Sequence, residues 1–163
     1  MKFKLLKAAD YEQNANLIQA LNSALADEYL AAYQYLAPIG LAVGKERANV
    51  EAEFDKHYHE ELEHASKLKQ RIIQLGGTPL LSPEEWFSNT SCGYTRPNDF
   101  NTGVLVQQNL EAEMKAIDVY NNLVALCQEL NDQITLDIVK EILADEEEHK
   151  QDLTDFKADM ELI

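Results

Sequence analysis

The sequence predicts an all-α fold, a four-helix bundle with one long crossover that carries a short helix. Three observations predict it. Glycine and proline supply only 6 and 4 of the 163 residues, and they stand mostly between positions 38 and 103. The flanking regions are rich in Leu, Ala, Glu, Lys and Gln, which favour helices. No stretch alternates apolar and polar residues strongly enough to indicate a sheet. The length fits a single domain over residues 1–163.

Two apolar stripes indicate the first pair of helices, because their members recur every three or four residues and so share one helix face. Pro38 and Gly40 should weaken or kink the end of the first helix. Gly76 and Gly77, followed by Pro79, form a stop signal for the second. The first stripe is Leu17, Leu21, Ala24, Glu28, Ala32 and Tyr35, and the second is Val50, Phe54, His57, Glu61, His64, Leu68, Ile72 and Leu75.

A connection of about 24 residues, from about Gly76 to Asp99, follows the second helix, and connections of this length usually have a function. It contains the sequence SPEEW. There Ser82 can cap a helix, Pro83 suits the first helical position and Glu85 completes a capping box. We therefore expect a short crossing helix.

Two further stripes indicate the second pair of helices, which should begin at a cap formed by Asn101 or Thr102. The remaining connections, near Gly44 and near Asn131 and Asp132, are short. The three connections between the long helices are therefore short, long and short in chain order, which predicts a bundle with one long crossover. The third stripe is Val106, Leu110, Glu113, Ile117, Tyr120 and Val124, and the fourth is Ile138, Ile142, Glu146, His149, Leu153 and Phe156.

Every stripe carries a glutamate at its middle, where a bundle core normally holds an apolar residue. An ionised carboxylate in a dry core costs at least several kcal/mol unless it is paired. Four together would repel one another, so some would have to take up protons. No stripe position is Lys or Arg, whereas a pair of divalent metal ions could neutralise the acids directly. The stripes direct Glu28, Glu61, Glu113 and Glu146 inward, and they direct Glu60, Glu63, Glu111, Glu147 and Glu148 toward solvent.

Two Glu-x-x-His motifs, ELEH (61–64) and EEEH (146–149), strengthen the metal hypothesis. Each begins 33 residues after a lone core glutamate, and a tyrosine stands seven residues after each of those glutamates. The repeated spacing indicates two similar helix pairs around one centre. Four carboxylates and two imidazoles suit iron or manganese. The histidines are His64 and His149, and the glutamate–tyrosine pairs are Glu28 with Tyr35 and Glu113 with Tyr120.

The composition excludes several classes of function. A formal net charge of −15 repels nucleic acid and anionic membranes and attracts cations. The N-terminal MKFKLLK offers either a small basic arm or a solvated end, and no apolar segment of a signal peptide follows it. No run approaches the roughly 20 apolar residues of a membrane helix, so we expect a cytoplasmic protein.

Cys92 and Cys127 form no C-x-x-C motif, which excludes a rubredoxin-type or zinc-ribbon site. A disulfide is not expected in a reducing compartment.

Four segments resemble the ligand helices of bacterioferritins, which belong to the ferritin-like superfamily of carboxylate-bridged di-iron bundles. The segments are NSALADEYLAAYQY, HEELEHA, NLEAEMKAI and ILADEEEH, and the resemblance spans nearly the whole chain. Leu62 stands where a bacterioferritin has its haem-ligating Met, so we expect no haem there. Only 14 residues follow His149, too few for the fifth helix of the 24-subunit ferritins.

The crossover PEEWFSNTSCGYTRP is similar to that of thioferritins, Dps-like proteins that combine a bacterioferritin-type site with a twelve-subunit shell. Cys92 matches one of the two cysteines that thioferritins have beside the site, but Lys115 stands at the position of the other. Cys127 lies about three helical turns further on and is not expected to reach that place. The resemblance implies a shell of twelve subunits. Trp86 and Phe87 would form a subunit contact, or Trp86 would pack within its own subunit.

The resemblance also implies a role for each candidate residue. Glu28 and Glu113 would each be a terminal ligand of one iron, Glu61 and Glu146 would bridge the two irons, and His64 and His149 would each bind one. Tyr35 would be an electron donor or a hydrogen-bond partner. Tyr120 and His57 would either support the ligands or be core residues with satisfied polar tips.

The implied function is a ferroxidase that oxidises Fe²⁺ with hydrogen peroxide or dioxygen, stores iron in a homo-oligomeric shell and protects against oxidative stress. One alternative is a non-storing di-iron peroxidase or oxidase of rubrerythrin type, which the lack of C-x-x-C disfavours. Another is a Dps-type DNA-binding protein, which only the N-terminal lysines favour. A metal-free structural bundle would leave the four core carboxylates unexplained.

Overall fold

The computed structural model describes residues 8–162, and the N-terminal MKFKLLK lies outside this range. The described chain forms five helices and no β-strand, apart from one isolated bridge between Val43 and Asn101. The predicted all-α bundle with one long crossover is confirmed. The helices are α1 (Ala8–Leu36), α2 (Arg47–Gln74), α3 (Pro83–Asn89), α4 (Thr102–Leu130) and α5 (Gln133–Leu162).

Proline, glycine and capping residues mark the ends of the helices. α1 ends at Leu36, two residues before Pro38, so the proline follows the helix and does not kink it. α2 ends in front of Gly76, whose φ of 82° lies in the left-handed region that glycine adopts without strain. Of the two predicted caps of α4, Asn101 is the one used: its side chain accepts from the Gly103 N–H at 3.0 Å.

The crossover contains the predicted short helix α3, which begins after Ser82 with Pro83 at its first position. The Glu85 carboxylate accepts from the Ser82 N–H at 2.9 Å, which completes the capping box. Trp86 stacks on Tyr29 of the same chain, with ring centroids 4.5 Å apart. The structure thus shows Trp86 packed within its own subunit, whereas Phe87 is exposed.

The bundle consists of two helix pairs, α1 with α2 and α4 with α5, which meet mainly along α1 and α4 and along α2 and α5. A buried Arg71 joins the pairs at one end: from α2 it donates to Thr135 Oγ1 at 2.7 Å and to the Asp132 carboxylate at 2.9 Å. Within residues 8–162, none of the helices is both long enough and apolar enough to cross a membrane.

Two apolar clusters fill the core and leave a polar layer between them. One surrounds Leu21 and Ile142 and the other surrounds Phe54 and Leu153. On each long helix the central glutamate falls between residues of the first cluster and residues of the second. Apolar packing on both sides therefore holds the acidic layer in place.

Candidate metal centre

The six candidate ligands lie together at the middle of the bundle, and each is at most 3% exposed. Their donor atoms fall into two groups, within each of which all atoms are less than 4.8 Å apart. Glu61 and Glu146 belong to both groups. The first group is Glu28, Glu61, His64 and Glu146, and the second is Glu61, Glu113, Glu146 and His149.

Both histidines turn the same ring nitrogen, Nδ1, toward the centre. His64 Nδ1 lies 3.1 Å from Glu61 Oε2, 3.0 Å from Glu146 Oε1 and 3.4 Å from Glu28 Oε2. His149 Nδ1 lies 3.3 Å from Glu61 Oε1. The two oxygens of Glu61 therefore face different histidines, which is the orientation that a bridging carboxylate needs.

The outer nitrogen of each histidine donates to an acid on the other helix. His64 Nε2 on α2 lies 3.1 Å from Asp145 Oδ2 on α5, and His149 Nε2 on α5 lies 3.0 Å from Glu60 Oε2 on α2. Such contacts fix the tautomer and orientation of a metal-binding imidazole. The stripe analysis assigned Glu60 to solvent and overlooked Asp145. Both acids stand four residues before a motif histidine, but each contacts the histidine of the other helix, so this spacing does not predict the contact.

The two candidate tyrosines cross between the halves of the centre. The Tyr35 hydroxyl donates to Glu113 Oε1, and the Tyr120 hydroxyl donates to Glu28 Oε1. Each tyrosine therefore contacts the glutamate of the other helix pair. The Tyr120 contact agrees with both of its sequence interpretations, because it reaches a candidate ligand and also satisfies the polar tip of a core residue.

His57 matches neither sequence interpretation fully. It stacks on His149, with ring centroids 4.1 Å apart, and it is fully buried; Nε2 lies 3.2 Å from Glu53 Oε1, whereas Nδ1 has no hydrogen-bond partner within the described chain. Burial, and next the nearby charge of His149, lower the pKa of His57 to about 3. The ring is therefore neutral, and its Nδ1 is unsatisfied.

The metal-free centre retains protons. Burial raises the pKa of Glu28, Glu113 and Glu146, because a charged carboxylate loses its solvation. Burial also favours the neutral ring of His149, but Glu61 and the other nearby carboxylates outweigh it and raise the pKa of this imidazole to about 9. The pKa of Glu61 is lowered, because contacts with His149 and His64 outweigh its burial. Ligands of this kind release protons when they bind a metal.

The donor set fits two divalent ions. Four buried donor atoms at the centre have no hydrogen-bond partner in the described structure: Glu28 Oε2, Glu61 Oε1, Glu146 Oε1 and His149 Nδ1. Ligand atoms bonded at about 2.1 Å to one ion lie about 3.0–3.4 Å apart at right or tetrahedral angles. The Nδ1–oxygen separations of 3.0–3.4 Å around His64 agree with this geometry.

A small cavity of about 30 Å³ extends from the four glutamates to the crossover, where Asp27, Cys92 and Gly93 line it. Burial, and next the charge of Asp27, raise the pKa of the Cys92 thiol, while the positive charge of Lys115 acts in the opposite direction. Cys127 is buried in the apolar cluster around Leu21, and both cysteines are free. The two thiols therefore occupy different environments.

Comparisons with known proteins agree with this geometry. A family model described as a ferritin-like domain matches residues 18–163. The bacterial ferritin of Pseudomonas aeruginosa is 32% identical over 142 residues, 81% of this chain and 79% of its own length. A nutrient stress-induced DNA-binding protein of Synechococcus is 25% identical, over 88% and 82% of the two chains. The dodecameric thioferritin of Bacteroides fragilis, a bacterioferritin-related protein, superposes with a TM-score of 0.88 at 41% identity and covers 90% of this chain and 87% of its own. The chain belongs to the ferritin-like family.

Proposed function

We propose that residues 1–163 form a single ferritin-like di-iron domain that oxidises Fe²⁺ and stores the product inside a homo-oligomeric shell. The observation that carries the proposal is that two groups of candidate ligands share Glu61 and Glu146. Iron is the substrate of this reaction. Membership of the ferritin-like family and the similarity to a bacterial ferritin support iron as the metal.

Each residue has a distinct part in the proposal. Glu28 and His64 hold one Fe²⁺, Glu113 and His149 hold the other, and Glu61 and Glu146 span both. Asp145 and Glu60 keep the imidazoles oriented. Tyr35 and Tyr120 hold the terminal carboxylates through their hydroxyl groups.

A pair of Fe²⁺ ions suits a two-electron oxidant. Each ion loses one electron, so one hydrogen peroxide and two protons become two water molecules, or one dioxygen and two protons become one hydrogen peroxide. Reduction by two electrons at once avoids release of hydroxyl radical, which would protect the cell against oxidative stress. The ligand carboxylates are deprotonated once Fe²⁺ is bound, so the two protons come from solvent.

Two observations support the storage part of the proposal: the net charge of the chain and the assembly of a similar protein. A net charge of −15 attracts Fe²⁺ and offers carboxylates on which Fe³⁺ can mineralise. The Bacteroides fragilis thioferritin is dodecameric, and we propose twelve subunits here. We propose no haem, because Leu62 has no ligand atom, and no DNA binding, because the charge is strongly negative.

Matched alanine variants test the proposal. Glu146→Ala should abolish rapid Fe²⁺ oxidation, because it removes a ligand of both ions, while Glu147→Ala, which removes an exposed acid next to it, should change the rate little. The measurement is stopped-flow absorbance of Fe³⁺ formation with each oxidant. A loss of activity in Glu147→Ala but not in Glu146→Ala would contradict the assignment.

A further inference from the structure

The cavity beside the metal centre is also lined by polar side chains that are not candidate metal ligands. Asn109 of α4 and Gln34 and Asp27 of α1 line it, and each of these side chains is at most 7% exposed. At roughly 10–15 Å³ for each water-sized molecule, a cavity of about 30 Å³ has room for two oxygen atoms. The cavity can therefore hold a small polar molecule next to the metal ligands.

Asn109 and Gln34 each have one amide atom that no protein group satisfies. Asn109 Nδ2 donates to the Leu105 carbonyl oxygen at 2.9 Å, which leaves Oδ1 as an acceptor without a partner in the described structure. Gln34 Oε1 accepts from the Thr95 N–H at 3.1 Å, which leaves Nε2 as a donor without a partner there. Buried polar groups without partners are costly. A molecule that both donates and accepts hydrogen bonds would satisfy them.

Asp27 supplies a second acceptor and holds the outer wall of the cavity. Its Oδ1 accepts from the Thr90 hydroxyl and, at 2.9 Å each, from the N–H groups of Ser91 and Cys92. Within residues 8–162, no nitrogen or oxygen donor reaches Oδ2, and the neighbouring Cys92 thiol is only a weak donor. The cavity thus offers two acceptors, Asn109 Oδ1 and Asp27 Oδ2, and one donor, Gln34 Nε2.

We propose that Asn109, Gln34 and Asp27 form a docking position for hydrogen peroxide and determine the preference for it over dioxygen. Hydrogen peroxide has two O–H donors, one for each acceptor, and lone pairs that can accept from Gln34. Dioxygen has no O–H group, so it would leave both acceptors unsatisfied. A site that is built to hydrogen-bond a hydroxyl group discriminates strongly against a molecule that lacks one.

The docking position adjoins the carboxylates that are proposed to hold iron, because Glu28, Glu113 and Glu146 line the same cavity. Water can satisfy the three polar atoms when no oxidant is present. Peroxide that replaces this water keeps the hydrogen bonds, whereas dioxygen that replaces it loses them. The docked peroxide takes one electron from each Fe²⁺ and two protons from solvent, its O–O bond breaks, and two water molecules form. This selection rests on the proposed function, in which either oxidant accepts the two electrons.

Stopped-flow oxidation of Fe²⁺ with each oxidant tests the docking position. Asn109→Leu removes the acceptor at nearly constant volume, and Gln34→Met removes the donor. Each should lower the ratio of kcat/KM for peroxide to kcat/KM for dioxygen about 10-fold, mainly through a higher KM for peroxide, because one hydrogen bond is lost. Asn121→Leu and Gln19→Met make the same changes at exposed positions of α4 and α1 and should leave the ratio unchanged.

Crystals loaded with Zn²⁺, which peroxide does not oxidise, give a measurement that does not depend on activity. After a soak in hydrogen peroxide, we expect density for two bonded oxygen atoms within hydrogen-bond distance of Asn109 Oδ1 and Gln34 Nε2, and its loss in Asn109→Leu. Water alone at this position in the unmodified chain, or an unchanged ratio in both variants, would overturn the proposal. Failure of the proposed function would look different, because the unmodified chain would then oxidise Fe²⁺ with neither oxidant.

Discussion

Glu61 links the two halves of the centre, because its two oxygens face His64 and His149 on different helices. No hydrogen bond satisfies Oε1 in the described structure. Its carboxylate is the one of the four whose pKa is lowered, so it is the charged acid around which the imidazolium groups gather. A metal ion would replace these protons at the same positions.

The retained protons predict an unusual pH dependence for metal binding. The pKa of His149 is raised to about 9 in the empty centre, above the value of about 6.5 for a free imidazole. A metal binds only the deprotonated ring, so apparent affinity falls as pH falls below the empty-site pKa. Affinity for Co²⁺ should therefore continue to rise between about pH 6.5 and pH 9.

Isothermal titration calorimetry at pH 7.5 in two buffers of different ionisation enthalpy measures the protons released. When both ions bind, we expect release of the protons held by the two imidazolium groups and by the carboxyl groups whose pKa values burial raises. An affinity that is constant above pH 7, without proton release, would show that the histidines are already deprotonated in the empty centre.

At the scale of helices, the sequence predicted which residues of each helix face the core, but it did not predict the contacts between helices. Burial recurs every three or four residues along a helix, so the stripes identified the inward-facing Glu113 and Glu146. Contacts between helices depend on how the helices cross, which one periodicity does not encode. The crossed tyrosine contacts, the acids beside the histidines and the buried Arg71 were missed for this reason.

The acids beside the histidines couple α2 to α5, and their removal should weaken metal binding. Glu60→Gln and Asp145→Asn should each lower metal affinity by about 10- to 100-fold, because the imidazole loses the partner that orients it. Calorimetric titration with Co²⁺ measures the effect. Glu63→Gln and Glu148→Gln remove exposed acids one residue before the same histidines and should have little effect. Similar losses in all four variants would indicate a general effect of surface charge.

For the whole molecule, the exposed apolar side chains support assembly. The described chain exposes Leu81, Phe87, Met114 and Ile134, and subunit contacts in a shell would remove such side chains from water. A subunit contact through the exposed Phe87 stays a prediction, whereas Trp86 packs on Tyr29.

Static light scattering measures the assembly directly. Twelve chains of 18.5 kDa give about 220 kDa. A monomer or dimer at micromolar concentration would contradict storage and favour a non-storing di-iron oxidase.

The central claim is that two metal ions share Glu61 and Glu146. Anomalous X-ray diffraction from crystals soaked in Fe²⁺ without oxygen tests this claim most directly. We expect two iron peaks per subunit, both at bonding distance, about 2.0–2.2 Å, from Glu61 and Glu146. One peak should also contact Glu28 and His64, and the other Glu113 and His149. A single peak, or two peaks without a shared glutamate, would contradict the account.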